Sequence, residues 1–218
     1  MFLVDGGAAL SDLVPESDAR AERRRQILDA AVRVFAEKGH EAIRIQDVAD
    51  QAGVAYGLVY HYFGTKDALL KTVFDENWAI FAEVVDRITS SDRSPEDAVR
   101  AVLDYAFGAL DAFPDRMKVI LLEYGRHARL GGALSHPDVA RVVACLERTF
   151  VASAEQGALV PDANPRALAV LFLGALEGAI VATLAAPRAA PTEPPDLSAV
   201  RATVLALFRG VTARPPST

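Results

Sequence analysis

The chain has 218 residues, of which 51% are hydrophobic, with one cysteine and a net charge of −6. That is apolar material enough for one large domain or two smaller ones, and the lone Cys145 excludes an internal disulfide framework and suits a reducing, cytoplasmic setting. The opening MFLVDGGAALSDLVPESDAR is acidic and lacks the basic start and long apolar core of a secretory signal. Residues 1–18 are expected to be a disordered leader.

The charge is unevenly spread. Residues 1–18 carry four acids and no Lys or Arg, residues 19–72 nine bases and seven acids, and residues 73–218 fourteen bases and eighteen acids. Only the middle segment is net positive, and Arg20, Arg23, Arg24 and Arg25 fall within six positions of it. Because salt screens charge beyond about 8 Å, a local basic patch can hold phosphates on an acidic protein. A charge run ahead of a helix reads equally well as a solvated face.

Apolar residues recur at helical spacing almost throughout, which predicts an all-α chain of about nine helices. Ile27, Ala30, Ala31, Val34 and Phe35 form the first stripe, stopped by Gly39. A second helix spans about 45–52 and ends at Gly53, a third spans about 56–62, and Thr65 caps a fourth that reaches about Ile88. Ser94-Pro95-Glu96-Asp97, Pro114-Asp115, Ser135-His136-Pro137-Asp138, Asn164-Pro165 and Asp196 open the remaining five. The Pro-rich stretch 187–195 reads as a mobile linker. A boundary is expected near residue 70, inside the fourth helix. The domains expected are 19–66 and 67–212, with 213–218 as a tail.

The segment QDVADQAGVAYGLVYHYF, Gln46 to Phe63, is the most informative. It reads as two short helices around a tight turn at Gly53, the second crowded with Tyr56, Tyr60, His61 and Tyr62. A helix that short cannot bury them all, and DNA is the leading candidate for what they meet. Gly53 permits a left-handed turn, and Gly57 suits close approach to DNA or to a neighbouring helix.

The stretch RRRQILDAAVRVFAEKGHEAIRIQDVADQAGVAYGLVYHYFGTKDALL resembles the N-terminal domain of the tetracycline-repressor (TetR) family of bacterial transcription regulators. The matching positions include Ile27, Leu28, Ala30, Ala31, Phe35, Gly39, Asp47, Val48, Ala49, Ala52, Gly53, Val54, Gly57, Tyr60, Phe63, Lys66, Asp67 and Leu69. The resemblance implies a helix-turn-helix head followed by a helical ligand-binding and dimerisation domain. It also implies that Tyr56, Leu58 and His61 enter the major groove and that Gln46, Tyr60 and Lys66 hold the DNA backbone. Where the family usually has Thr or Ser, this chain has Ile43 and Arg44, so the second helix lacks a hydroxyl cap and Arg44 becomes a candidate phosphate ligand. Ala55 stands where a serine often opens the recognition helix; with Gly57 it completes the set assigned to DNA.

Beyond the head, Trp78, Phe81, Tyr105, Tyr124, His127, Phe172 and Glu177 are candidates for a ligand cavity, apolar with a few polar groups, and Glu123 and Arg126 are further polar candidates there. Each has a plain structural alternative, most of the aromatics as core and His127 as a surface or satisfied histidine. The run ALAVLFLGALEGAIVATLAA, residues 167–186, is long enough to span a bilayer, but Glu177 and its Ala and Gly content favour a buried helix. Gly174, Gly178 and Ala182 make a smooth stripe on it; with Val200, Val204 and Leu207 of the last helix they form a candidate homodimer interface. Glu177 would then pair across the dimer or meet a ligand. Cys145 reads as small core.

There is no nucleophile motif, phosphate loop or metal-spaced His/Cys cluster, so neither catalysis nor a cofactor or metal is expected. The sequence therefore points to a ligand-responsive regulator, with the resemblance implying a repressor. It would bind double-stranded DNA at a palindromic operator as a homodimer and be released by a small apolar or amphipathic effector, of which a lipid or acyl-CoA type is one form. The alternatives are an activator of the same family and a helical scaffold that retains an unused head.

Overall fold

The computed structural model describes residues 16–132, 135–160, 162–185 and 196–212, and excludes the side chains of 126–131 and 207 among others. The described residues form nine α-helices and no strand. These are α1 (Glu16–Ala42), α2 (Ile45–Ala52), α3 (Tyr56–Phe63), α4 (Lys66–Thr89), α5 (Pro95–Ala112), α6 (Pro114–Gly131), α7 (Pro137–Glu155), α8 (Pro165–Ala185) and α9 (Leu197–Thr212). Helix α1 begins at Glu16, so the last three residues expected in the leader are helical; residues 1–15, the linker 187–195 and the tail 213–218 lie outside the described residues. The chain divides into two compact units, 1–71 and 72–218, with the division inside α4.

The first unit is a small helical head. Ile27, Ala30, Ala31 and Phe35 of α1 are wholly buried, as are Val48 and Ala49 of α2, Val59 of α3 and Leu69 and Leu70 at the start of α4. Three glycines punctuate it at positive φ, Gly64 (φ 70) closing α3. Gly39 (φ 73, ψ 171) ends the regular part of α1, and Gly53 (φ 64, ψ 36) closes α2 in the left-handed region. Polar side chains then tie the loose helix ends. Gln26 Nε2 donates to the Ala52 carbonyl at 2.9 Å, and Lys66 Nζ to the His40 carbonyl at 3.0 Å. Thr65 Oγ1 accepts from the Ala68 amide at 3.1 Å and caps α4.

Helix α2 starts without a hydroxyl cap, as its sequence implies. Arg44 occupies the cap position, and a guanidinium has no acceptor to offer. Asp47 compensates by accepting from the Arg44 backbone amide at 3.0 Å while pairing with Lys38 Nζ at 2.7 Å. The Lys38 hydrogen bond, and next the Arg44 amide, hold the Asp47 carboxyl below its usual range. Its folded value lies under its unfolded one, so the contribution is complete above the ordinary carboxylate range and is lost as pH falls through the lowered value. Asp47→Asn is therefore expected to flatten the acid limb of the head's stability curve below about pH 4, measured by urea unfolding at a series of pH values. An unchanged acid limb would refute the role.

The second unit packs the rest of α4 with α5–α9 around Phe74, Leu103, Leu146, Phe150 and Phe172, all at most 1% exposed. Four of its helices, α5, α7, α8 and α9, start on a side-chain cap. Ser94 Oγ accepts from Asp97 N at 3.1 Å, Asn164 Oδ1 from Ala167 N at 2.9 Å, and Asp196 Oδ1 from Ser198 N at 3.0 Å. At α7 the cap is His136: Nδ1 accepts from Asp138 N at 3.3 Å, which leaves Nε2–H to donate to Asp75 at 3.2 Å. Asp86 of α4 holds α7 through Arg141 at 2.8 Å and Arg148 at 3.0 Å, with Cys145 Sγ 3.4 Å away. Burial pushes the Cys145 thiol up, which keeps it an inert core group.

Two of the site candidates are drawn into this core. Phe172 turns into the core, 4.8 Å edge-to-face from Phe208, rather than into a ligand cavity. Val204 is 6% exposed and Val200 packs against the same core, so this stripe of α9 is largely engaged within its own chain. A stripe that apolar is the cheapest surface to bury first, and the fold uses it internally. Among its described residues α9 leaves Ser198, Ala199, Ala202, Thr203 and Ala206 exposed. Leu207, the other interface candidate there, has a side chain outside the described residues.

Candidate nucleic-acid interface and ligand cavity

Helix α3 has two faces. Val59 and Phe63 are buried, and Tyr56, Gly57, Tyr60 and His61 are exposed, with Leu58 between the two. Tyr56 is 47% and Tyr60 56% exposed, their rings stacked at 6.3 Å and 18°. One turn apart on a helix, the two phenols form a preset flat apolar surface with hydroxyls at its rim. A Cβ added at Gly57 would meet nothing within 4 Å. No neighbouring helix therefore requires glycine there, which removes that reason for it and leaves close approach from outside.

The α1 arginines are divided in role. Arg20 lies 5.8 Å from the Tyr62 ring and Arg24 5.7 Å from that of Phe63, while the Tyr62 hydroxyl donates to the Arg20 carbonyl at 3.4 Å. Arg23 and Arg25 are exposed; Arg25 pairs with Glu22 and Arg23 donates to Gln26 at 3.4 Å. Arg44 is exposed beside the entry of α2. Gln46 donates to Asp50 at 2.7 Å, and Ala55 caps α3 with no side-chain bond. Lys66 is the surprise among the sequence candidates. Its ammonium already serves the His40 carbonyl, a structural task the sequence did not announce.

The second unit contains a cavity of about 570 Å³ walled by α4, α5, α6 and α8. Of the ligand candidates, Trp78, Phe81, Tyr105, Tyr124 and Glu177 line it. Phe172 does not, and the side chain of His127 lies outside the described residues, as does that of Arg126. Glu123 is 1% exposed and belongs to the packed interior. The rings follow one another along the wall. Tyr124 stacks on Trp78 at 5.6 Å and 26°, Trp78 meets Phe81 edge-on at 5.6 Å, and Phe81 stacks on Tyr105 at 6.1 Å. The Trp78 indole Nε1 is buried with no hydrogen-bond partner among the described residues. Burial pushes the Glu177 carboxyl up, and burial first and then the Glu177 charge push the Tyr124 phenol up.

Comparison with known proteins shows what the chain resembles. Residues 27–73, which hold α2, α3 and the turn between them, match the family model of bacterial regulatory proteins of the tetR family. The HTH-type transcriptional repressor KstR of Mycobacterium tuberculosis is 26% identical over 155 residues, 71% of this chain and 69% of its own. The fatty acid metabolism regulator protein of Bacillus subtilis is 34% identical over 85 residues, 39% of this chain and 44% of its own. The solved structure of the transcriptional regulator FadR from Bacillus subtilis in complex with stearoyl-CoA superposes with a TM-score of 0.71 at 24% identity, covering 84% of this chain and 96% of that one. Residues 27–73 are thus a tetR-family head, and the chain is similar over a longer stretch to regulators of that family.

In the second unit the sequence missed several cavity residues whose spacing was readable. Met117, Ile120, Leu121 and Tyr124 recur at helical spacing on α6 and all line the cavity. So do Leu173, Leu176, Glu177 and Ile180 on α8, a stripe in which the one carboxylate is the anomaly. Asn77, one position before Trp78, is a further polar lining residue; its Nδ2 donates to Val73 O at 2.6 Å. The α8 stripe Gly174, Gly178 and Ala182 is exposed, and no atom lies within 4 Å of a Cβ at either glycine. Val170, Leu171 and Val181 are exposed on the same helix, Leu171 by 63%.

Proposed function

We propose that this protein is a cytoplasmic, ligand-responsive repressor that binds a palindromic operator as a homodimer and is released by a small apolar or amphipathic effector. It acts by binding, without a catalytic step. The observation that carries the DNA-binding part is the stacked Tyr56–Tyr60 pair, exposed on a short helix whose other face is fully used. An isolated fold gains nothing by leaving two phenols in water side by side, whereas a groove and its sugar-phosphate edges accept both their faces and their hydroxyls. His61 and Leu58 would read bases, and Arg44, Gln46 and the free donors of Lys66 would hold phosphates.

The effector would occupy the cavity of the second unit, which has the apolar walls and sparse polar groups of small-molecule sites. Helix α4 is one continuous helix that contributes Leu69 and Leu70 to the head and Trp78 and Phe81 to the cavity wall. An effector that prefers one position of α4 would shift it like a pendulum and change the spacing of the two heads. The dimer would form on the exposed small-residue face of α8. An acyl-CoA-type effector, by likeness to the FadR complex, would need cations for its phosphates, and Arg116 is the one basic residue in the described lining.

The test is binding of the full chain to the DNA upstream of its own and neighbouring genes, against random fragments, over a salt series. Selective binding with log affinity falling steeply and linearly in log salt, and a footprint with two related half-sites, is the expected result. Equal, salt-insensitive affinity for all fragments would mark a scaffold with an unused head.

A further inference from the structure

Among the described residues, the cavity wall holds one charged group with nothing to balance it. Glu177 sits on α8 between Leu173 and Leu176 on one side and Ile180 on the other, all lining the same space. The other acid of the lining, Asp104, pairs with Arg201. The lining base, Arg116, lies 6.0 Å over the Phe113 ring. Glu177 has no hydrogen bond or ion pair among the described residues, and Tyr124 beside it feels its charge without relieving it. A purely apolar ligand would strip the remaining water from that carboxyl and raise the cost of its charge. An anionic ligand would add repulsion. A cation reverses both effects.

The neighbouring rings point the same way. Trp78, Phe81, Tyr105 and Tyr124 come from three helices and form a continuous aromatic wall. Such a wall carries negative ring faces that attract a poorly hydrated cation, and it does so best where water is thin. An acid set in an aromatic wall is the chemistry of amine and quaternary-ammonium recognition.

We propose that the effector is an organic cation: one positive centre on an apolar body, its charge beside Glu177 and its body against the rings of Trp78, Tyr105 and Tyr124. This rests on the ligand-responsive reading above and adds the charge of the ligand to it.

Trp78 is the only tryptophan in the chain, so its fluorescence reports on the cavity alone. The experiment titrates the full chain with tetraphenylphosphonium and with tetraphenylborate, ions of one shape and opposite charge. The cation is expected to quench Trp78 and to bind at least about tenfold more tightly than the anion, the scale of a partly desolvated cation–π and ion-pair contact. Glu177→Gln should remove most of that preference and Glu177→Asp should keep part of it, which separates a charge effect from a folding defect. The proposal is overturned if the anion binds as well as the cation. It is equally overturned if neither ion perturbs Trp78 up to millimolar concentration, or if Glu177→Gln leaves the ratio unchanged. Operator release is read in parallel. Release by stearoyl-CoA or the borate but not by the phosphonium sinks the cation and keeps the ligand-responsive regulator. Absence of selective DNA binding sinks the regulator whatever Trp78 reports.

Discussion

Phe35→Ala is expected to abolish operator binding although Phe35 touches no DNA in the proposed complex. The ring is wholly buried in the head, edge-on to His40 at 6.2 Å. Truncating a buried phenylalanine costs about 3–5 kcal/mol, the transfer free energy of the ring plus the cavity it leaves. A helical head of this size has a total stability of only about 3–8 kcal/mol. The loss is therefore of the same order as the whole, and most heads would be unfolded at equilibrium. The arrangement of α3 depends on that core, since Val59 and Phe63 anchor its inner face there. Phe35→Leu, which refills most of the space, should cost about 1 kcal/mol and leave binding nearly intact. Far-UV circular dichroism against urea, with operator affinity measured on the same samples, separates the outcomes. If Phe35→Ala binds DNA like the parent and unfolds at the same urea concentration, the head is not held together as described. The unit of 72–218 has its own core, so its Trp78 emission should not follow the loss.

The head was legible in the sequence because each of its local signals has one physical meaning. Gly39 and Gly53 are stops, and both take the positive φ that glycine tolerates best. Ile27, Ala30, Ala31 and Phe35 form a stripe, and all four are wholly buried. The proline-led caps at Pro95, Pro114, Pro137 and Pro165 each open a helix at that residue. What was not legible depends on contacts distant in the chain. Lys66 meets the carbonyl of His40, 26 positions earlier, and nothing in the order of residues distinguishes that from a phosphate contact. Val204 and Phe172 lie on stripes apolar on more than one side, and periodicity cannot say which side faces inward; Phe208 settles it by packing against Phe172. The cavity was half visible. Aromatics stand out by type, so Trp78, Phe81, Tyr105 and Tyr124 were found, whereas Met117, Ile120 and Leu121 look like any core stripe.

Tyr60→Ala and His61→Ala should damage DNA binding in different ways, and the stacked pair adds a third variant. A side chain that only positions the backbone weakens all sequences alike, so Tyr60→Ala should lower specific and random binding together, by about tenfold. It carries no charge, so the salt slope should stay the same, whereas Arg44→Ala should reduce the slope by about one unit if Arg44 neutralises a phosphate. His61 is exposed on the outward face, where it can reach a base edge. Its removal should leave random binding unchanged and erode discrimination at one position by about 1–3 kcal/mol. Because Tyr56 and Tyr60 stack at 6.3 Å, truncating either frees the other to rotate, and the pair should not behave additively. A double-mutant cycle is expected to give a coupling of about 0.5–1.5 kcal/mol in operator binding. Fluorescence anisotropy with a parental operator, a single-base variant and a random duplex reads all three effects. Additive tyrosine losses would mean the stack is not kept on DNA, and a His61→Ala protein with full discrimination would move base reading off this face of α3.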